Sequence, residues 1–236
     1  MASPLTLVSG YWVIPNKHDN KFFEWFDRTL KINCPYVFFG NEESINIVKK
    51  YREGLPTHYV LLEIKDFYTY KYYDSIQTHP IHCPSKELNL VWNEKLFLIQ
   101  KAKDMDIFGS EFFGWVDAGI CIYRDIMPPS NKFPDENKLL KLPKDKLLFS
   151  SSDYMHFIPK FLDGNNYYHY ISGTYMLHKT FVDYFVNIYK SYVDFYLPRN
   201  DWKNTDQVIL TYIYGQTPEL FFKLADGYGA ILPLLQ

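Results

Sequence analysis

In Phe113-Gly114-Trp115-Val116-Asp117-Ala118-Gly119 an apolar run stops abruptly at a carboxylate and a glycine. The run reads as a buried strand that delivers Asp117 to a cleft, because ligands in open α/β sheets sit beyond the carboxyl ends of the strands. There Asp117 could hold a ligand or a metal ion; the competing reading is that it caps the next turn while Gly119 supplies a positive φ. Other reactive-looking groups carry less. His79-Pro80-Ile81-His82-Cys83 lacks a second ligand pair at zinc-site spacing, and Pro80 argues against one helix presenting both histidines. Ser150-Ser151-Ser152-Asp153 has no Gly-x-Ser-x-Gly elbow around it, so it reads as a polar strand exit or the acceptor side of a cleft. No Gly-x-Gly-x-x-Gly and no phosphate-loop signature occurs, which leaves dehydrogenase and phosphate-loop NTPase readings unsupported.

The surrounding elements alternate. Leu5–Gly10, Tyr36–Phe39 and Tyr59–Ile64 read as short buried strands, separated by helical spacing over Asn20–Leu30 and Glu42–Arg52. A Tyr-rich loop from Phe67 to Cys83 precedes a long helix from Ser85 to Met105, with Ser85 as its cap. Past the Asp117 strand and a Pro-marked loop with a short helix, strands are expected at Leu147–Ser150 and Tyr168–Leu177, and helices at Phe181–Phe195 and Thr205–Tyr214. This alternation predicts an α/β fold with a central, mostly parallel sheet flanked by helices, and a single domain over residues 1–236.

The 25 basic and 27 acidic residues are spread along the chain, so there is no footprint for nucleic acid or an anionic membrane. Met1 to Val8 carries no leader-like pattern, and no run approaches the roughly 20 apolar residues of a membrane span. A cytoplasmic protein is expected, with Cys34, Cys83 and Cys121 as buried free thiols. Aromatic residues make up 19% of the chain, more than core packing asks for, so some rings are expected to line a binding surface unless coding bias explains them. Phe67–Tyr73 could stack on sugar faces or simply pack as a loop.

Taken in order, Trp92-Asn93-Glu94-Lys95, Trp115-Val116-Asp117-Ala118-Gly119, Ser172-Gly173-Thr174 and Thr205-Asp206-Gln207 resemble the GT-A class of nucleotide-sugar glycosyltransferases. The chain is most similar to the HtrL/YibB (WlaTB-like) family, from the first strand to about Ala225. The resemblance implies a GT-A-like (Rossmann-like) fold and a hexosyltransferase. Its donor would be a nucleoside diphosphate sugar, UDP-sugar favoured, and its acceptor a hydroxyl of a glycan, lipid or protein. In that class an Asp-x-Asp holds Mn²⁺ or Mg²⁺ against the diphosphate, since a hard cation takes oxygen ligands and neutralises charge on the leaving group. Here Asp117 keeps the first carboxylate and Gly119 replaces the second, so Asp117 could coordinate a metal if the diphosphate supplies two oxygens and a second side chain arrives from Asp226, His156, His169 or His178.

The resemblance also implies the remaining roles. Lys95 lies near the nucleotide or its phosphates, where unaided reading makes it a solvated helix charge. Gly173 and Thr174 receive a sugar, unless the segment is an ordinary strand bulge. Asp206 and Gln207 face the reacting sugar, unless Thr205 and Asp206 merely cap a helix. Ser9, Gly10 and Tyr11 hold the base, with Tyr11 or Trp12 stacking on it and Asn41 reaching its edge; Trp12 as core and Asn41 as a turn residue are the alternatives. Asp206 or Asp153 would serve as general base if the reaction inverts, and retention stays equally open. The missing second carboxylate motivates a rival, a non-catalytic nucleotide- or carbohydrate-binding module. A metal-dependent sugar-phosphate hydrolase would need a denser carboxylate cluster.

Overall fold

Short apolar runs form the strands because both faces of the sheet are covered, so alternation with polar residues is not required. The computed structural model describes residues 3–18 and 20–236; Met1 and Ala2, at the start of the stretch that carries no leader-like pattern, and Asp19 lie outside the described residues. In chain order come β1 (Leu5–Gly10), α1 (Lys21–Thr29), β2 (Tyr36–Gly40), α2 (Glu42–Lys49), β3 (Thr57–Leu61), α3 (Lys86–Met105) and β4 (Phe112–Trp115). Then follow α4 (Glu136–Leu139), β5 (Leu147–Ser151), β6 (Ile171–His178), α5 (Lys179–Tyr196), α6 (Asp206–Gln216), β7 (Phe221–Ala225) and α7 (Ile231–Leu234).

The strands make one seven-stranded sheet in the order β3-β2-β1-β4-β6-β5-β7. Only β6 runs antiparallel to its neighbours. Helices α3, α5 and α6 pack on one face and α1, α2, α4 and α7 on the other. The fold is the α/β class expected, a mostly parallel sheet flanked by helices. Strand limits differ where pairing overrides composition. β3 ends at Leu61 because its partner β2 ends opposite it at Gly40, and β6 starts at Ile171, where its register with Ser151 of β5 begins. β7 has only one neighbour and a mixed burial pattern, so its sequence carries no clear period.

From β1 the chain builds outward through β2 and β3, then returns to the opposite side of β1 for β4, which pairs with it from Leu5↔Phe112 to Val8↔Trp115. The connections leaving the carboxyl ends of β1 and β4 therefore diverge, which opens a crevice at the switch point.

Three consecutive residues of α3 fix that crevice from below. Asn93 donates its amide to Asn89 Oδ1 (2.9 Å) and to the Asn204 carbonyl (3.0 Å), tying α3 to the turn before α6. Glu94 accepts from the Tyr68 and Thr69 N–H groups at 2.9 and 3.1 Å and from the Thr69 hydroxyl at 2.7 Å. It thereby orders Tyr68–Ser75 as a 3₁₀ segment rather than a free loop. Tyr68 and Tyr72 both donate to Asp194 on α5, so this aromatic cluster is committed to packing instead of to a ligand. Lys95 is the third, and it enters the crevice.

Replacing Asn93 by Ala removes the amide that donates to the buried Asn204 carbonyl and the Oδ1 that accepts from Tyr189, whose hydroxyl keeps only the Asn93 backbone carbonyl. A loss of about 1–3 kcal/mol is expected. Urea unfolding measures it, and an unchanged midpoint would refute the pinning role.

Candidate functional site

A cavity of 530 Å³ opens at this crevice, walled by the ends of β1 and β4, by β6, and by side chains of α1, α3 and α6. At its floor the Lys95 ammonium lies 3.1 Å from Asp117 Oδ1 and 3.2 Å from Asp206 Oδ2. The side chains of Lys95 and Asp206 are only 3% and 2% exposed, whereas that of Asp117 is 45% exposed. The reading of Lys95 as a solvated charge is thus corrected: α3 buries it. Burial pulls its pKa down, but Asp117 and Asp206 together outweigh that and hold it above the ordinary lysine value. Burial in turn raises the Asp206 pKa, against the pull of Lys95. Asp206 Oδ2 makes no well-directed hydrogen bond, so charge rather than geometry holds it to the lysine.

Asp117 neither caps the following turn nor stands alone. The Trp115 indole donates to the same Oδ1 at 2.7 Å, which aims the carboxylate back over Lys95 and leaves Oδ2 toward the cavity. Gly173, in the middle of β6, is small for this reason: a Cβ there would sit 3.1 Å from Lys95 Nζ and 3.3 Å from Asp117 Oδ2. Gly119 is not at positive φ. Its missing side chain instead admits the Phe22 ring, 2.6 Å from where a Cβ would be, so that α1 can close on the turn.

Of the residues singled out by sequence, Gly10, Tyr11, Lys95, Asp117, Gly119, Gly173, Thr174 and Gln207 line the cavity. Asp206 lies beneath it, sealed by Lys95. Ser9 is fully buried and does not reach it. The rings of Tyr11 and Trp12 are not free to stack on a base. Tyr11 packs on Phe22 and Phe26, while Trp12 packs edge-on against Phe67 and donates its indole N–H to the Leu62 carbonyl. Asn41 caps α2, accepting from the Ser44 N–H at 3.0 Å, and Thr205 precedes α6 without a side-chain capping bond.

Lys17, His18, Arg124, Tyr167 and Tyr228 also line the cavity, and nothing in their local pattern marks them. The usable signal is position, because Lys17 and His18 follow β1 and Arg124 follows β4 on the two diverging connections. Across from them stand Asp153, His169 and Tyr228, with the Tyr228 hydroxyl 3.2 Å from His169 Nδ1. Burial lowers the pKa of His18 and of His169 to about 4, so both are neutral at pH 7.

A metal ion fits this donor set poorly. Among the described residues no three His, Cys, Asp or Glu side chains converge to hold one. Of the candidate second ligands only His169 reaches the cavity. Asp226 accepts from Ser151 and pairs with Lys223, and His178 caps α5 and faces Glu111. His156 is exposed outside it. Among the thiols, Cys34 and Cys83 are buried and Cys121 is exposed, all three free. No described helix is long and apolar enough to cross a membrane.

Residues 61–230 match the family described as bacterial protein of unknown function (HtrL_YibB), and the chain belongs to that family. No curated protein matches it in sequence. Among solved structures it is similar to 4-diphosphocytidyl-2C-methyl-D-erythritol synthase from Anaerococcus prevotii DSM 20548. That alignment covers 96% of this chain and 90% of the other at 12% identity, with a TM-score of 0.44. A likeness this distant carries no functional argument.

Two outcomes are expected. Lys95→Met strands the buried Asp206 carboxylate and should cost about 3–5 kcal/mol, much of it recovered when Asp206→Asn is added; additive losses in denaturant melts would contradict the coupling. Secondly, folded His18 and His169 refuse protons that the unfolded chain takes up, so stability should fall as pH drops from 6.5 toward about 4. In thermal melts His169→Gln should flatten that fall; an identical profile would place its source elsewhere.

Proposed function

We propose that this HtrL_YibB family member is a GT-A-type glycosyltransferase. It would move a hexose from a nucleoside diphosphate sugar, UDP-sugar favoured, to a hydroxyl of a glycan, lipid or protein acceptor, with residues 1–236 acting as one domain. The carrying observation is the Lys95 ammonium buried between Asp117 and Asp206 under a cavity at the switch point of the sheet. Charge that is fixed before the substrate arrives stabilises a developing anion without reorganisation, and the anion that develops here is the leaving diphosphate.

In this reading the donor lies over Gly173 and Thr174, which line the cavity beside Lys95 and Asp117, and the free oxygen of Asp117 accepts from a ribose or sugar hydroxyl. Gln207, whose amide donates to the Ile171 carbonyl at 3.2 Å, presents its oxygen to the transferred sugar. The bond from the anomeric carbon to the diphosphate breaks with its electron pair going to the diphosphate. The acceptor oxygen bonds to that carbon and gives up its proton. Asp153, exposed on the facing wall, takes that proton if transfer inverts. Asp206 acts through Lys95 and touches no substrate, which makes it a positioning residue.

The sealed position of Asp206 also favours one rival, a non-catalytic binding module on the same scaffold. Turnover separates the two. Purified protein incubated with UDP-hexoses and sugar acceptors is expected to release UDP faster with acceptor than without; donor binding with no turnover would favour the module. Asp117→Asn keeps an oxygen for the Trp115 indole and should fold. It loses a charged hydrogen bond of about 1.5–3 kcal/mol, so transfer should fall roughly 10- to 100-fold in kcat/KM. Unchanged transfer would remove Asp117 from the site.

A further inference from the structure

We propose that the donor diphosphate is gripped by Lys17 and Arg124 above Lys95, and that this site works without a divalent metal ion. The inference rests on the nucleotide-sugar reading and adds to it the source of positive charge. Lys17 comes from the connection after β1 and Arg124 from the connection after β4, so the switch point brings a cation to the cavity from each side. Lys17 senses Asp117, Lys95, Arg124 and Asp206 electrostatically, which places all of them in one charge cluster.

Arg124 is held in place with its fork unused. Its Nε donates to the Gly119 carbonyl at 2.9 Å, its guanidinium stacks 3.8 Å from the Trp25 ring centroid, and its own carbonyl accepts from Arg28. Its terminal nitrogens make no side-chain hydrogen bond among the described residues. A planar donor fork fixed in this way suits a phosphate. The Lys17 ammonium lies 5.7 Å from the Trp92 ring centroid. Among the described residues neither cation has a carboxylate within 4.0 Å. Burial lowers the pKa of both, against the pull of Asp117 on each.

The diphosphate of a nucleotide sugar carries two negative charges, the number that Lys17 and Arg124 supply, while Lys95 adds a third positive charge that is set against Asp117 and Asp206. A metal ion would compete badly here. It would have to share Asp117 with an ammonium 3.1 Å from Oδ1. Even at an effective dielectric of about 20, two unit positive charges about 4 Å apart repel by ~4 kcal/mol, and a divalent ion doubles that.

The test is calorimetric titration of UDP, with GDP and ADP in parallel, into protein dialysed against EDTA and again with Mn²⁺ or Mg²⁺ added. Affinity for the nucleotide that binds is expected to change less than about twofold with metal, because metal makes no part of the site. Lys17→Ala and Arg124→Gln should each weaken it about tenfold or more by removing a charge-assisted contact, with melting temperatures showing that both variants fold. Lys50→Ala, an exposed lysine just after α2 and outside the cavity, should have no effect. Binding that requires metal, or that ignores both substitutions, overturns the clamp and leaves the transferase reading standing. No binding of any nucleoside diphosphate under either condition contradicts that reading, and the clamp falls with it.

Discussion

A lysine ammonium that is 3% exposed can exist only if carboxylates meet it, and much of this site follows from that requirement. The carboxylates arrive from two places far apart in the chain, the turn after β4 and the first residue of α6. α6 is brought within reach by Asn93, two positions before Lys95 on α3, through its bond to the Asn204 carbonyl. Asp117 is turned back over the ammonium by the Trp115 indole, two residues before it at the end of β4. β6 passes close to these groups, and a side chain at position 173 would crowd both Lys95 Nζ and Asp117 Oδ2.

How much of this is legible in the chain depends on range. Strand runs such as Leu5–Gly10 and the helix capped by Ser85 follow from local pattern, so the α/β layering can be read from the residues alone. Asp117 stands out because an apolar strand ending in a carboxylate is a local signal. Lys95 does not, since helix periodicity cannot tell a solvated face from one covered by β6 and α6, which lie far downstream. The motif Asn93-Glu94-Lys95 looks like one polar patch, yet its three side chains serve three different buried contacts. Gly173 and Gly119 read as approaches for a ligand or as turn residues, whereas each is small because a specific side chain occupies its Cβ position. Lys17 and Arg124 escape notice for the opposite reason: they lie in irregular connections, where only the strand order, itself a long-range property, gives position a meaning.

The same arrangement reconciles the incomplete acidic motif with a nucleotide-sugar site. On the proposed reading Gly119 stands where the resembled class has a second carboxylate, and here the turn seats Phe22 against it and anchors Arg124 through the glycine carbonyl. A position that would bind a cation thus helps to hold one that belongs to the protein. His18, beside Lys17, and His169, on the wall across from it, are both kept neutral, so neither adds positive charge to the cavity at pH 7.

Whether the crevice between β1 and β4 is a nucleotide-sugar site is tested most directly by a crystal structure of the protein grown with UDP-hexose. The diphosphate is expected between Lys17 and Arg124, with the sugar against Gly173 and Gln207. Nucleotide bound elsewhere on the molecule, or a cavity that holds only solvent at saturating donor, would contradict it.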